Sequence, residues 1–178
     1  MIALLTAALT ISLAALAYVY AGYLAALKLI VWVRGARPIR RSPITPRLTL
    51  IISAYNEADV IGKKLDNALA LDYPAEALEI VVISDASDDG TDDIVREYAS
   101  KGVRLFRQPE RRGKTAGLNA ATPSVNGEII VFSDANAIYQ TDALRMLVRN
   151  FADPQVGCVT GEARYFAGGN AVARYTCR

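Results

Sequence analysis

The 178-residue chain has room for about one domain, with 52% hydrophobic residues, a formal net charge of +2 and no histidine. Without histidine, Ser-His and Cys-His nucleophilic catalysis is excluded, so acid–base chemistry has to use carboxylates, Lys, Tyr or Cys. The two cysteines, Cys158 and Cys177, are too few for a disulfide framework or a zinc site, and we expect both to be reduced and structural.

The first predicted element is a transmembrane helix over residues 1–33. From Ile2 to Val33 the sequence is apolar apart from a few hydroxyl groups and Lys28. About 20 such residues suffice to cross a bilayer as a helix. A secretory signal peptide would begin with basic residues, and none precedes Lys28. A buried core helix is not expected at this length.

Basic residues at and just beyond the end of this helix predict its orientation. They are Lys28, Arg34, Arg37, Arg40, Arg41 and Arg47. The positive-inside rule keeps the chain beyond the helix in the cytoplasm, which predicts a single-pass protein of the cell membrane. All six precede the first acidic residue, Glu57, so 14 basic residues face 18 acidic ones in the remainder. We therefore expect no nucleic-acid partner, since that needs a clustered basic face. An anionic-lipid patch is an alternative role for the six.

A basic, proline-rich linker is predicted over residues 34–46, because its three prolines disfavour helix. In residues 47–178, β-branched runs then alternate with helical patterns. The runs begin at Leu48, Ile80, Val103 and Ile129. This alternation predicts an α/β domain with a mostly parallel sheet and covering helices. A last helix is predicted from about Thr141, a plausible N-cap, to Phe151.

Polar clusters follow three of these strands, where ligands bind in open α/β sheets. They are Ser53 to Glu57, Ser84 to Thr91, and Ser133 to Asn136. Such clusters could hold a ribose, a base edge and a hard cation. The alternative is that each cluster is an ordinary turn or helix cap. We prefer this interpretation for four aspartates at the start of a predicted helix, namely Asp88, Asp89, Asp92 and Asp93.

Two further segments carry complementary charge. Asp134 and Asn136 follow a buried strand and place two oxygen-bearing side chains on one side of the chain, which suits Mg²⁺ or Mn²⁺ bridging phosphates. The loop from Arg111 to Thr115 offers cationic donors to phosphate, or else is a solvated basic turn. It is not a Walker A loop, because Gln108 stands where that motif needs glycine.

Taken together, four motifs in order resemble the family 2 glycosyltransferases of the GT-A fold, over roughly Arg47 to Phe166. The motifs are I-S-A-Y-N-E from Ile52, V-I-S-D-A-S-D-D-G-T from Val82, R-G-K-T-A-G-L-N from Arg112 and F-S-D-A-N from Phe132. The resemblance implies a Rossmann-like, mostly parallel sheet. It departs from the family at Ser84, which replaces the first Asp of a pair, and at Asn136, which replaces the second Asp of D-x-D. The change to Asn136 keeps an oxygen ligand but removes a charge, which predicts weaker metal binding.

Site residues are also implied by this resemblance. Ala54, Tyr55 and Glu57 would border the nucleotide, Asp85 would meet the uracil or ribose, and Lys114 would lie near the diphosphate. Asp134 and Asn136 would hold Mg²⁺ or Mn²⁺, and Asp134 is the stronger ligand of the two.

The implied reaction is inverting transfer of a sugar from a UDP-sugar, or alternatively a GDP-sugar, to a lipid-linked or polysaccharide acceptor at the cytoplasmic membrane face. In the family the acidic base lies downstream of the matched region, as does the Q-x-x-R-W motif of polysaccharide synthases. Neither has a counterpart before Arg178, and Glu162 is not expected to serve as the base. The catalytic base is therefore expected to be absent from this chain. The alternative is a truncated, non-catalytic membrane module that binds a nucleotide-sugar.

Overall fold

The computed structural model describes residues 1–35, 38–165 and 173–176, so the predictions for Arg37 and Cys177 fall outside them. The chain divides into two compact units, Met1–Ile39 and Arg40–Arg178. The second unit begins inside the segment predicted as a linker. There the backbone N–H of Arg40 donates to Asp153 Oδ2 at 3.3 Å, and the N–H of Ser42 donates to the Arg149 carbonyl at 3.2 Å. The later part of that segment is thus tied to the domain.

The first unit is a continuous helix, Ile2–Arg34, in which α1 (Ile2–Ala17) and α2 (Tyr23–Arg34) are joined by a π-helical turn (Tyr18–Gly22). At 1.5 Å per residue its 33 residues extend for about 50 Å, more than the ~30 Å hydrocarbon core of a bilayer. Among the described residues it is the one helix long and apolar enough to cross a membrane, judged by length and composition. None of its residues is buried.

Within its described residues, the second unit contains two sheets. The larger consists of parallel strands in the order β3-β2-β1-β4: β1 Leu48–Ala54, β2 Leu78–Ser84, β3 Val103–Arg107 and β4 Ile129–Asp134. The smaller has the order β5-β7-β6: β5 Ala137–Tyr139, β6 Glu162–Tyr165 and β7 Ala173–Thr176. All four predicted strands are therefore present and parallel.

Helices cover the larger sheet. They are α3 Ala58–Leu69, α4 Thr91–Glu97, α5 Lys114–Ala121 and α6 Ala143–Val148. Single 3₁₀ turns follow or precede them at Ala75–Ala77, Ala99–Lys101, Thr122–Ser124 and Arg149–Ala152. The last helix starts one residue later than predicted from the N-cap, with Asp142 rather than Thr141 in the cap position, and Phe151 lies in the 3₁₀ turn after it.

The central strand β1 is buried on both faces, as expected for a parallel strand covered by helices. Its alternate residues Leu50 and Ile52 belong to the main core, which includes Leu65 of α3. On the other face, Ile51 packs with Ile83 and with Ala121 of α5.

The register places the carboxyl ends of three strands at one edge. Ser53 of β1 is paired with Ile83 of β2 and with Asp134 of β4. Side chains that follow β1, β2 and β4 are therefore brought together at this edge, although they are distant in sequence.

Candidate functional site

A cavity of about 220 Å³ opens at the carboxyl edge of the parallel sheet. Its lining residues are Ser53, Ala54, Tyr55, Glu57, Ile83, Asp85, Gln108, Lys114, Asp134 and Asn136. All seven residues predicted from the sequence to form the site are among them. Of the other three, Ser53 belongs to a predicted polar cluster without an assigned role, and Ile83 and Gln108 were not predicted. Gln108 follows the carboxyl end of β3, so it lies at the one strand end whose polar side chains were not considered.

Asp85 is a buried carboxylate that anchors the loop of Arg112 and Gly113. Its Oδ1 accepts hydrogen bonds from Gln108 Nε2 at 2.5 Å and from the Arg112 N–H at 2.8 Å. The Gly113 N–H donates to Oδ2 at 2.9 Å and to Oδ1 at 3.1 Å. Two carboxylate oxygens offer about four acceptor sites. These three donors leave room on Oδ2 for one further donor, such as a base or ribose group.

Tyr55 and Arg111 bring the loop after β1 together with the loop after β3. The Arg111 guanidinium carbon lies 4.0 Å from the centroid of the Tyr55 ring. Arginine over an aromatic face is a favourable cation–π arrangement. The contact joins the expected nucleotide loop to the expected diphosphate loop at the cavity.

Lys114 and Asp134 form an ion pair across the cavity, between Lys114 Nζ and Asp134 Oδ1. Lys114 is the first residue of α5, and Asp134 is the last residue of β4. Both side chains are about half exposed, at 52% and 53%. The pair is accessible, so an anion can engage Lys114 and a cation can engage Asp134.

Glu57 lies in a cluster of negative charge. Partial burial raises the pKa of Glu57 above its ordinary value, and the carboxylates of Asp134 and Asp89 raise it further. Burial also raises the pKa of Asp89, but hydrogen bonds from Thr91 and from the Ala58 N–H outweigh this effect and leave its pKa below the ordinary value. A divalent cation near Asp134 would relieve this repulsion.

The four aspartates at the start of α4, predicted to serve turns and the helix cap, all make contacts within the domain, although the N-cap residue is Gly90 and no side chain caps it. Asp89 accepts hydrogen bonds from the Ala58 N–H at 3.0 Å and the Thr91 N–H at 3.0 Å, so it serves the first turns of α3 and α4. The other contacts are Asp88 with the Asn56 amide, Asp92 with Arg107 and Asp93 with Arg96.

Ala86 has a positive φ of 59° in the loop after β2. An L-residue with a Cβ atom is disfavoured in this left-handed region. It lies directly after Asp85, so the strain falls in the segment that orients the buried carboxylate.

Lys64 of α3 is a buried cation that was not predicted as a site residue from the sequence. Its Nζ donates to the Ala137 carbonyl at 2.5 Å and lies 4.0 Å from the centroid of the Tyr139 ring. Burial lowers its pKa from 10.5 to about 7, although Asp134 acts in the opposite direction. Its burial could have been predicted from the sequence, because Lys64 stands three residues after Ile61 and four before Ala68, on the apolar face of α3.

The residues present fit a metal ion that is shared with a bound diphosphate. In the part of the chain that the structure describes, no three His, Cys, Asp or Glu side chains converge on one point. Asp134 and Asn136 supply two oxygen ligands at the same cavity. Mg²⁺ is commonly held by one or two carboxylates together with substrate phosphates and water. This donor set suits that arrangement and does not form a cage of protein ligands.

Comparison with known proteins agrees with the geometry. Residues 49–176 match the protein family described as Glycosyl transferase family 2. The chain is 34% identical over 119 residues to poly-beta-1,6-N-acetyl-D-glucosamine synthase from Staphylococcus aureus strain MSSA476, covering 66% of this chain. It is also 34% identical over 125 residues to the probable glycosyltransferase YdaM of Bacillus subtilis strain 168, covering 67% of this chain.

Solved structures show the same fold. A mannosyltransferase from Pyrobaculum calidifontis, PcManGT, was solved with GDP-Man and Mn²⁺. It is 39% identical with a TM-score of 0.75, over 88% of this chain and 47% of that one. S. aureus TarS 1-349 is 26% identical with a TM-score of 0.51, over 54% of this chain and 29% of that one. The predicted GT-A fold is confirmed by this likeness.

The chain spans only part of these relatives. It covers 28% of the length of the S. aureus synthase and 30% of YdaM. The comparisons therefore bear on the domain that carries the cavity.

Proposed function

The chain belongs to glycosyl transferase family 2, and on that premise we propose that it takes part in sugar transfer from a UDP-sugar to a lipid-linked or polysaccharide acceptor at the cytoplasmic face of the cell membrane. The observation that carries the proposal is the cavity in which an accessible lysine and an accessible aspartate face each other beside Asp85 and Tyr55. Asp85 is available for the base or ribose, Lys114 for the diphosphate, and Asp134 for a cation bound to the diphosphate.

In the proposed complex, the donor binds along the carboxyl edge of the sheet. Asp85 uses its remaining acceptor capacity for the base or ribose, and Ala54, Tyr55 and Glu57 border the nucleotide. Lys114 turns from Asp134 to the diphosphate, where an ammonium group is a strong donor to phosphate oxygens. Each partner of the ion pair in the free protein thus gains a ligand of opposite charge.

Asp134 and Asn136 would hold Mg²⁺ or Mn²⁺, whose contribution is to neutralise the diphosphate as it leaves the sugar. The related mannosyltransferase was solved with Mn²⁺. We assign no catalytic base to the described residues of this chain. In the proposed reaction a carboxylate has to accept the proton of the attacking hydroxyl group.

The membrane acceptor is proposed from the long apolar helix and from a relative. The helix Ile2–Arg34 is suited to anchor the domain beside a lipid-linked substrate. The similar S. aureus protein is named as a synthase of a polysaccharide. Both features favour an acceptor that stays at the membrane.

A GDP-sugar is the second candidate donor. It is favoured by the GDP-Man complex of PcManGT, whose sequence is 39% identical to this chain. Both donors share the diphosphate and ribose, so the Lys114 and Asp134 roles are the same for either. The nucleotide parts of the two donors differ only in the base.

Nucleotide binding by the full chain in lipid nanodiscs tests the proposal. Isothermal titration with UDP and with GDP, each with and without Mn²⁺, is compared for the wild type, Asp134→Ala and a control, Asp59→Ala, which removes an exposed aspartate outside the cavity. We expect Mn²⁺-dependent UDP binding that Asp134→Ala weakens at least about tenfold and the control retains.

Two results would count against the assignment. Equal affinity of the wild type and Asp134→Ala for UDP with Mn²⁺ would remove the metal role of Asp134. Binding of neither nucleotide would contradict the proposed function altogether. Preference for GDP would instead select the second donor.

A further inference from the structure

Lys64 connects α3, the helix that follows Glu57, to the segment that follows Asn136. The side chain is fully buried, with 0% exposure, in the first helix of the nucleotide-binding unit. Its Nζ donates to the carbonyl of Ala137, the residue immediately after Asn136. One side chain therefore reaches from α3 to the backbone that leaves the Asp134–Asn136 loop.

The same helix holds this segment at a second place. Asn67 Nδ2 donates to the Tyr139 carbonyl at 2.9 Å, and the Tyr139 N–H donates to Asn67 Oδ1 at 2.8 Å. Lys64 also contacts the Tyr139 ring as a cation over its face, at 4.0 Å from the centroid. Strand β5, which begins directly after Asn136, is thus attached to α3 through Lys64 and Asn67.

Stability of the fold does not account for an ammonium group at this position. A buried charge loses its hydration, and a carbonyl and an aromatic ring replace only part of it. No carboxylate among the described residues lies within ion-pair distance of Lys64. An apolar side chain of similar length would fill the same space without the cost of a buried charge, and would lose only the hydrogen bond to the Ala137 carbonyl.

What the Lys64 side chain adds is a directed hydrogen bond to the loop backbone, which is strongest in its protonated form. Hydrogen bonds from a charged donor are about twice as strong as neutral ones. The bond is made one residue beyond Asn136 and three beyond Asp134. It fixes the end of the loop relative to α3, whose own first residue follows Glu57 of the cavity.

We propose that Lys64 is a positioning residue, which holds the Asp134–Ala137 loop in place so that Asp134 and Asn136 can share an ion with the donor diphosphate. The inference rests on the proposed function for the role of that ion. The attachment of the loop to α3 by Lys64 can be tested without it.

The experiment compares three variants of the full chain in nanodiscs. Lys64→Met removes the charge and the donor at similar length, and Lys64→Arg retains both. Lys63→Met is the matched control, because Lys63 is the exposed neighbour on the same helix. Hydrogen exchange of residues 135–139 is measured without ligand, together with Tm and the Mn²⁺ dependence of UDP and GDP binding.

We expect Lys64→Met to speed exchange in residues 135–139 and to raise the Mn²⁺ concentration for half-maximal nucleotide binding about tenfold or more, as is typical when support of a metal ligand is lost. Its Tm should stay near the wild-type value, because relief of the buried charge offsets the lost hydrogen bond to Ala137. Lys63→Met should match the wild type, and Lys64→Arg should restore part of the Mn²⁺ response. A purely structural role would instead lower Tm and leave the Mn²⁺ dependence of the folded protein unchanged.

The proposal is overturned if Lys64→Met leaves exchange in residues 135–139 and the Mn²⁺ response at wild-type values. It is also overturned if binding is lost only in proportion to unfolding. If Lys64→Met does not fold, Lys64→Arg decides: a Mn²⁺ response weaker than that of the wild type in the folded protein supports the proposal, and a wild-type response overturns it. If the wild type binds no nucleotide, the proposed function fails, while the exchange comparison still decides whether Lys64 holds the loop.

Discussion

The buried side chains of Asp85 and Lys64 have different surroundings. Asp85, after β2, receives hydrogen bonds from Gln108 and from two backbone N–H groups. Lys64, in α3, has one carbonyl and one aromatic ring as partners. A carboxylate with several donors stabilises the loop that it binds, whereas a poorly compensated ammonium group costs stability. The loop after β2 is therefore stabilised by its buried charge, whereas the buried charge of α3 costs stability.

Removal of Asp85 should have the largest effect. Asp85→Ala leaves the buried Gln108 amide without its acceptor, which costs about 1–3 kcal/mol, and it also removes the hydrogen bonds from the part-buried N–H groups of Arg112 and Gly113. We expect the free energy of unfolding to fall by about 3 kcal/mol, measured by urea denaturation. Asp88→Ala, at an exposed position in the same loop, is the control and should cost clearly less. Equal losses would mean that Asp85 is not the anchor of this loop.

The pH dependence of stability should reveal Lys64. Its pKa is about 7 in the folded chain and 10.5 ordinarily, so between these values the unfolded state binds a proton that the folded state does not. The free energy of unfolding should therefore rise with pH in this window, by up to about 3 kcal/mol from pH 7 to pH 9.

Lys64→Met should lack this rise, while Lys63→Met keeps it. The measurement is urea denaturation of each variant at pH 7, 8 and 9. A wild type whose stability is flat over this range would show that Lys64 titrates normally.

Gly117 should tolerate no side chain, because it supports the Asp85 side of the site. A Cβ atom there would lie 2.8 Å from Ile83 Cγ2 and 2.9 Å from Gln108 Nε2. Gly117→Ala should push Gln108 from Asp85 and lower the free energy of unfolding by about 1–3 kcal/mol. Gly157→Ala, where a Cβ atom meets nothing within 4 Å, is the control. Similar urea midpoints for both variants would contradict the predicted clash.

Ala86 should give the smallest effect, and in the stabilising direction. Ala86→Gly relieves the left-handed conformation beside Asp85, which costs an L-residue roughly 1–2 kcal/mol, but adds chain entropy to the unfolded state. The net gain should be about 0.5 kcal/mol, detectable as a small rise in Tm. Ala116→Gly within α5 should instead lower Tm, since glycine weakens a helix interior. A fall in Tm for Ala86→Gly would indicate that the loop does not hold this conformation.

Much of the domain and of its cavity could be predicted from local patterns in the sequence. Runs of β-branched residues predict strands because such side chains fit a pleated, buried surface, and all four runs became parallel strands. Since parallel strands end at one edge, the polar residues after β1, β2 and β4 were expected to meet. Glu57, Asp85 and Asp134 do line one cavity.

The tertiary structure alone decided how the charges of the site are compensated. Lys64 stood on an apolar helix face in the sequence, but its partner Ala137 lies 73 positions away and contributes only a backbone carbonyl, which no side-chain pattern reveals. Gln108 and Asp85 likewise meet only because β3 pairs with β2. Periodicity along a chain shows which side of an element is buried. The electrostatic cost of a buried charge depends on which groups of other elements reach it, and folding alone brings those groups together.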